Sequence, residues 1–194
     1  MTGAPGAYDT DMTDITNAFE IASAAHAGQT RKHSMIPYII HPLRVADAIG
    51  TINSTLTAAA LLHDVLEDAP EDYEPNIKLR VPLALPIVKE LTRTDDPTNT
   101  TDKEAYLASF ATKSIPALIV KLFDRYDNVA DFARTSPSYA PKYAGKANTL
   151  YDIVGRSQSD LVSYAGSDFT NRMVAIANML KDYATGAGKL QLGM

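Results

Sequence analysis

Four side chains able to do acid–base or metal chemistry crowd into the end of the stretch Thr55–Ala69, TLTAAALLHDVLEDA: His63, Asp64, Glu67 and Asp68. Three carboxylates around one imidazole repel one another and are costly to bury unless something positive sits among them. No lysine or arginine occurs in the stretch to supply that charge. A divalent cation is the economical alternative, and nitrogen from His63 with oxygen from Asp64 suits zinc, manganese or iron better than calcium. The competing reading is an amphipathic helix whose acidic side faces water, which usually wins for scattered acidic faces. It does not account for a histidine beside an aspartate directly after the apolar run Ala58–Leu62. The metal reading leads, and it requires ligands from elsewhere in the chain.

The element that must carry these residues reads as one helix. At about 100° per residue, Ala58, Leu61, Leu62, Val65 and Leu66 form a core-facing stripe. His63, Asp64 and Glu67 fall on the opposite sector, with Asp68 at its edge one turn on from Asp64. A second helix is expected over Ser114–Ala133, SIPALIVKLFDRYDNVADFA, with Ile115, Leu118, Ile119, Leu122, Tyr126, Val129 and Ala133 on one side. Lys121, Asp124, Asn128 and Asp131 share its other side, which borders either a polar cavity or solvent. Upstream, DITNAFEIASAAHAG has helical spacing and stops at Gly28. Gln29, Arg31, Lys32 and His33 then form a compact basic loop. Tyr38–Ile40 reads as a short extended segment. Pro42 suits the first position of the next helix, which sets His41 near its N-cap on a stiff backbone.

Residues 69–82 are polar and proline-punctuated and read as a surface loop with room for one helical turn. Leu83–Leu91 and Lys103–Thr112 read as helices around a turn-rich loop, Thr92–Asp102. After the turn Ser136–Tyr143 the chain is expected to run helically to Ala165, with a last helix over Asp168–Ala184. The fold class is all-α. Residues 1–11 read as a flexible tail, 12–185 as one domain and 186–194 as a second tail.

The totals narrow the chemistry. The 194 residues are 45% hydrophobic, enough for one sizeable core. A net charge of -5 argues against a general nucleic-acid surface, so an anionic substrate must meet a local basic cluster. There is no cysteine, which excludes disulfides, thiolate metal sites and cysteine nucleophiles. The N-terminus lacks the pattern of a secretory signal, and no apolar run reaches the roughly 20 residues needed to span a bilayer. The expectation is a soluble cytoplasmic protein with neither membrane nor nucleic-acid partners; its oligomeric state is not legible.

Four segments taken together, AHAGQTRK (25–32), PYIIHPLRVA (37–46), AALLHDVLEDA (59–69) and KLFDRYDN (121–128), resemble the hydrolase domain of the RelA/SpoT family. That domain belongs to the HD-domain metal-dependent phosphohydrolases, whose fold is a helical bundle. The resemblance covers roughly residues 13–160, in the family's order and at similar spacing. It implies a stand-alone small alarmone hydrolase, similar to the metazoan SpoT homologue. The expected activity is removal of the 3′-pyrophosphate of (p)ppGpp to give GDP or GTP and pyrophosphate. By position the resemblance assigns one divalent metal ion, generally manganese in the family, to His41, His63, Asp64 and Asp124. It assigns positioning and deprotonation of the attacking water to Glu67 and Asp68. Arg31 is implied to pack on the guanine ring, Lys32 to meet phosphate, Asn128 to contact the ribose and 3′ side, and Tyr143 to line the pocket. The chain departs from the family at HSMI in place of the usual SG turn, at Ala69, at Asp127 and at Ala130, positions that bear on substrate choice. The alternatives are another phosphohydrolase on the same site, such as an NADPH 2′-phosphatase or a dNTP hydrolase, and a catalytically silent nucleotide-binding protein. His26 is expected to be packed and hydrogen-bonded.

Overall fold

The computed structural model describes residues 7–32, 34–50, 52–93 and 100–191. Regular structure in them is helical, with a single isolated antiparallel bridge, Thr30 to Pro37. The all-α expectation holds. The chain divides into two compact units, Met1–Thr30 with Ile36–Thr92 and Arg31–Met35 with Arg93–Met194.

The first unit holds α1 (Ala7–Ala25), α2 (Ile40–Ile49), α3 (Ser54–Leu62), α4 (Val65–Asp68), α5 (Glu74–Arg80) and α6 (Leu85–Leu91). At its centre α3 packs against α1, α2 and α6. Its start is set by Asn53, whose side-chain oxygen accepts the Leu56 N–H at 2.8 Å. Just before it, Gly50 ends α2 at φ 78°, a conformation that glycine adopts without steric cost. The two-faced character expected of this stretch is absent from α3: Leu56, Ala58, Ala59, Ala60, Leu61 and Leu62 are all buried. The alanines explain this, because they let α1 approach with its own small buried positions, Ala18, Ala22 and Ala25. Each fully buried leucine here contributes roughly 1.5–3 kcal/mol.

Several boundaries differ from the sequence reading. α1 begins at Ala7, inside the stretch expected as a tail. α2 begins at Ile40, not Pro42, and Tyr38–Ile39 form a turn in place of an extended segment. A proline is tolerated at the third helical position because the first four N–H groups of a helix have no partner within it. The region 69–82 contains a full helix, α5, with Pro75 in its first turn.

The second unit contains α7 (Thr100–Ser109), α8 (Ile115–Thr135), α9 (Ala140–Gly145), α10 (Asn148–Arg156), α11 (Gln158–Ala165) and α12 (Ser167–Thr185). α8 follows the expected helix closely; Ser114 Oγ caps it by accepting the Ala117 N–H at 3.3 Å, and Pro116 lies in its first turn. Its apolar side, Leu118, Ile119, Leu122, Phe123 and Val129, is fully buried. Its polar side is not a solvated face, since Asp124, Asp127 and Asp131 are buried as well. The long run expected up to Ala165 is three helices, broken at Lys146–Ala147 and at Ser157.

Candidate metal centre

The helix expected to run from Thr55 to Ala69 is interrupted at the His-Asp doublet. α3 ends at Leu62, His63 and Asp64 form a turn, and α4 resumes at Val65. The imidazole supplies the physical reason. His63 Nδ1 donates to the Ala60 carbonyl at 2.8 Å, a group that a continuing helix would use for its own ladder. A carbonyl can only accept, so Nδ1 is the donor of this bond and Nε2 is the ring nitrogen left to face His41 and Asp64.

His41 comes from the first turn of α2. Its backbone N–H donates to the Tyr38 carbonyl at 2.9 Å, and the Tyr38 N–H donates to the Gln29 carbonyl at 2.9 Å. Both histidines are almost fully buried, at 1% and 2% exposure. Their rings meet edge-on, with centroids 5.0 Å apart. His41 Nε2 and His63 Nε2 are 3.3 Å apart, and Asp64 Oδ2 lies 3.5 Å from the first and 3.1 Å from the second. A circle through the three atoms has a radius of about 1.9 Å, so a single point about 2.1 Å from all three exists just above their plane, a usual metal–nitrogen or metal–oxygen bond length. The donor set therefore fits one divalent cation: two imidazole nitrogens with one carboxylate oxygen. Among the described residues these three form the candidate cation group.

The other acids of the stretch lie just beyond. Asp68 Oδ2 accepts from the Tyr38 hydroxyl at 2.9 Å, and the same hydroxyl is 2.8 Å from Asp64 Oδ2. Burial, and next the charge of Asp64, raise the Asp68 carboxyl above its ordinary 3.8. Burial and the two neighbouring carboxylates likewise push the Tyr38 phenol far up, so it stays a donor. Glu67 is exposed, and its N–H donates to the Asp64 carbonyl at 3.1 Å. His26 is packed and hydrogen-bonded as expected: its Nδ1 meets Gln29 Oε1 at 2.9 Å. Gln29 Nε2 donates to the Asp68 carbonyl at 2.9 Å. Sequence reading passed over Tyr38 and Gln29 as site residues, although Tyr38 stands three positions before His41.

Asp124 lies in the second unit, on α8, and is not part of the three-residue group. Lys121 Nζ holds one of its oxygens at 2.8 Å, and Asn128 Nδ2 holds the other. Each carboxylate oxygen has two lone pairs, so these bonds leave acceptor capacity. Asn128 Oδ1 accepts from Arg31 at 2.7 Å, and Asp131 lies 3.4 Å from the same guanidinium nitrogen. Arg31, Asn128, Asp124 and Lys121 thus form one connected polar row. Lys32 is exposed, and His33 lies outside the described residues. Nearby Met35 has φ 57°, a left-handed backbone conformation uncommon for a residue other than glycine. Tyr143 packs against Phe132, with Arg125 4.3 Å above its ring.

An all-helical protein with a cation centre of two histidines and an aspartate defines a metal-site class. Residues 18–157 match the family described as HD domain, and the chain belongs to that family. The chain is similar to the bifunctional (p)ppGpp synthase/hydrolase SpoT of Escherichia coli (strain K12), at 30% identity over 145 residues, 71% of this chain and 20% of that protein. A guanosine-3′,5′-bis(diphosphate) 3′-pyrophosphohydrolase of Borreliella burgdorferi is 38% identical over 140 residues, 68% of this chain and 20% of that one. The chain therefore spans about one fifth of the length of these curated relatives. A solved structure described as a metazoan ortholog of SpoT that hydrolyzes ppGpp superposes with a TM-score of 0.68. The match covers 91% of this chain and 97% of that one at 22% identity, and it is a likeness of fold. Among the described residues no helix is long and apolar enough to cross a membrane.

Proposed function

We propose that this protein is a manganese-dependent hydrolase that removes the 3′-pyrophosphate of (p)ppGpp, giving GDP or GTP and pyrophosphate. The observation that carries the reading is the pair of buried imidazole nitrogens 3.3 Å apart beside Asp64, with two further acids, Glu67 and Asp68, one turn away. The names of the curated relatives point to the same substrate. In this reading residues 12–185 act as one domain, and Asp124 joins His41, His63 and Asp64 as the fourth ligand.

A divalent cation held there lowers the pKa of a water and offsets negative charge on the phosphate. The protein's own groups do the rest. Glu67, exposed at the edge of the cluster, orients the attacking water, and Glu67 with Asp68 takes its proton. The water oxygen bonds to phosphorus while the bond between phosphorus and the ribose 3′-oxygen breaks; the departing 3′-oxygen takes a proton from solvent to become the hydroxyl of GDP or GTP, and pyrophosphate leaves. Arg31 stacks on the guanine ring, its plane steadied by Asn128, and Lys32 meets phosphate as a mobile point charge. Asn128 contacts the 3′ side of the ribose, and Tyr143 lines the pocket. The substrate is a cytoplasmic nucleotide, and no nucleic acid or membrane takes part.

Incubating the protein with ppGpp and Mn2+ tests the proposal. Pyrophosphate and GDP are the expected products, with turnover abolished by a chelator. Inorganic phosphate from NADPH, or triphosphate from a dNTP, with ppGpp untouched would move the assignment to another substrate. Nucleotide binding without turnover under any divalent metal would end the enzymatic reading.

A further inference from the structure

One hydroxyl, that of Tyr38, lies within hydrogen-bonding distance of two carboxylates with different duties. Asp64 Oδ2 is 2.8 Å from it and Asp68 Oδ2 is 2.9 Å. A phenol has one proton to give. It serves the two oxygens alternately, and it keeps them at a fixed spacing whichever holds the bond. Asp64 Oδ2 is also the carboxylate oxygen of the cation group, 3.5 Å from His41 Nε2 and 3.1 Å from His63 Nε2. The hydroxyl therefore links the carboxylate of the cation group to one proposed to act on water.

The ring is held from several sides. His26 stacks on it at 4.7 Å between centroids, and His41 meets it edge-on at 5.9 Å. Its backbone N–H is tied to the Gln29 carbonyl. Gln29 donates through Nε2 to the Asp68 carbonyl, so its Oε1 faces His26, which must donate through Nδ1. Asp68 is thus hooked twice to one short segment, by its carboxylate to Tyr38 and by its carbonyl to Gln29. A tyrosine serving only to fill space would gain nothing from two anions at its tip, since phenylalanine fills the same volume without drawing charge toward a half-buried ring.

We propose that Tyr38, backed by His26 and Gln29, is a positioning residue that couples the cation ligand Asp64 to the carboxylate of Asp68. Its effect on turnover rests on the hydrolase reading above; its effect on cation binding does not. The test is Tyr38→Phe in the full chain, with three readouts. Mn2+ binding is followed without nucleotide by the electron paramagnetic resonance signal of the free ion. Values of kcat and KM are measured with ppGpp at saturating Mn2+, and metal-free melting is recorded. The expected result is a Mn2+ dissociation constant raised about tenfold and kcat lowered about 10- to 100-fold, as for other residues that orient metal ligands. KM should stay within about twofold of wild type and melting within about 3 °C, the pattern expected of a residue that orients groups without binding substrate. Unchanged Mn2+ affinity with unchanged kcat overturns the proposal, and so does a raised KM at constant kcat, which would make Tyr38 a substrate contact. A Tyr38→Phe chain that fails to fold overturns it too, since the hydroxyl would then be structural. If the wild type releases no pyrophosphate, the hydrolase reading fails, while the Mn2+ comparison still decides the role of Tyr38.

Discussion

Asp64→Ala and Glu67→Ala separate holding a cation from using it. Asp64 supplies one of three atoms that lie 3.1 to 3.5 Å apart around the candidate centre. Four-ligand structural zinc sites bind with about 10–16 kcal/mol in all, or about 3 kcal/mol per ligand, so losing one weakens binding by about 100-fold. At a cation concentration about 100 times the wild-type dissociation constant, binding adds about 2.7 kcal/mol to stability; a variant about 100-fold weaker keeps about 0.4 kcal/mol. The difference of about 2.3 kcal/mol corresponds to about 5–9 °C in Tm for a chain of this length. Melting each protein with and without MnCl2 reads that quantity directly, and comparing each variant with itself removes any change in its metal-free stability. Glu67 is exposed and should keep the full metal-dependent rise, while turnover falls by about 100-fold or more. Equal loss of the rise in both variants would make Glu67 a ligand. An Asp64→Ala protein that retains the wild-type rise would remove Asp64 from the centre and refute the reasoning.

Two further outcomes follow from the same structure. Burial pulls the Lys121 ammonium down, but Asp124 at 2.8 Å more than offsets it and the net shift is upward from 10.5. The folded protein then holds this proton more tightly than the unfolded chain, so the stabilisation is complete below pH 10.5 and is lost as pH rises toward the folded value. Urea midpoints measured from about pH 9 to about pH 12 should fall more steeply in wild type than in Lys121→Met, and parallel curves would contradict the pairing. Leu62 is 0% exposed at the end of α3, and Leu62→Ala should cost about 2–5 kcal/mol in urea unfolding. A loss below about 1 kcal/mol would mean that the core beside His63 is not close-packed.

Helix type was legible wherever an apolar period ran unbroken, as in α8 and α12. It failed where side chains compete with the backbone or where small residues alter the meaning of a pattern. The alanines of α3 read as one stripe of an amphipathic helix, yet residues that small can be buried on every side. Pro42 read as a helix start because proline favours the first position, but any of the first turn's N–H groups is dispensable. Of the candidate site residues, His41, His63 and Asp64, which the structure brings together, could be singled out because a histidine beside a helix-starting proline and a His-Asp doublet are local signals. Tyr38 and Gln29 could not. Tyr38 meets Asp64 26 positions away, Gln29 meets Asp68 39 positions away, and no local period encodes a contact of that reach. The polar row on α8 was legible as a face, while its burial and its tie to Arg31 belong to the tertiary fold.

The break between α3 and α4 follows from the geometry of adjacent residues. On a regular helix, neighbours point about 100° apart and do not face one another. Yet His63 Nε2 and Asp64 Oδ2, from consecutive residues, lie only 3.1 Å apart. The turn reconciles these facts. Asp64 has φ −100° and ψ −6°, the Glu67 and Asp68 N–H groups both donate to its carbonyl, and His63 Nδ1 anchors to Ala60. The interruption lets two consecutive side chains converge on one point. The buried α3 before it fixes where that point lies, so the same fifteen residues that read as a single helix serve better as a helix with a notch.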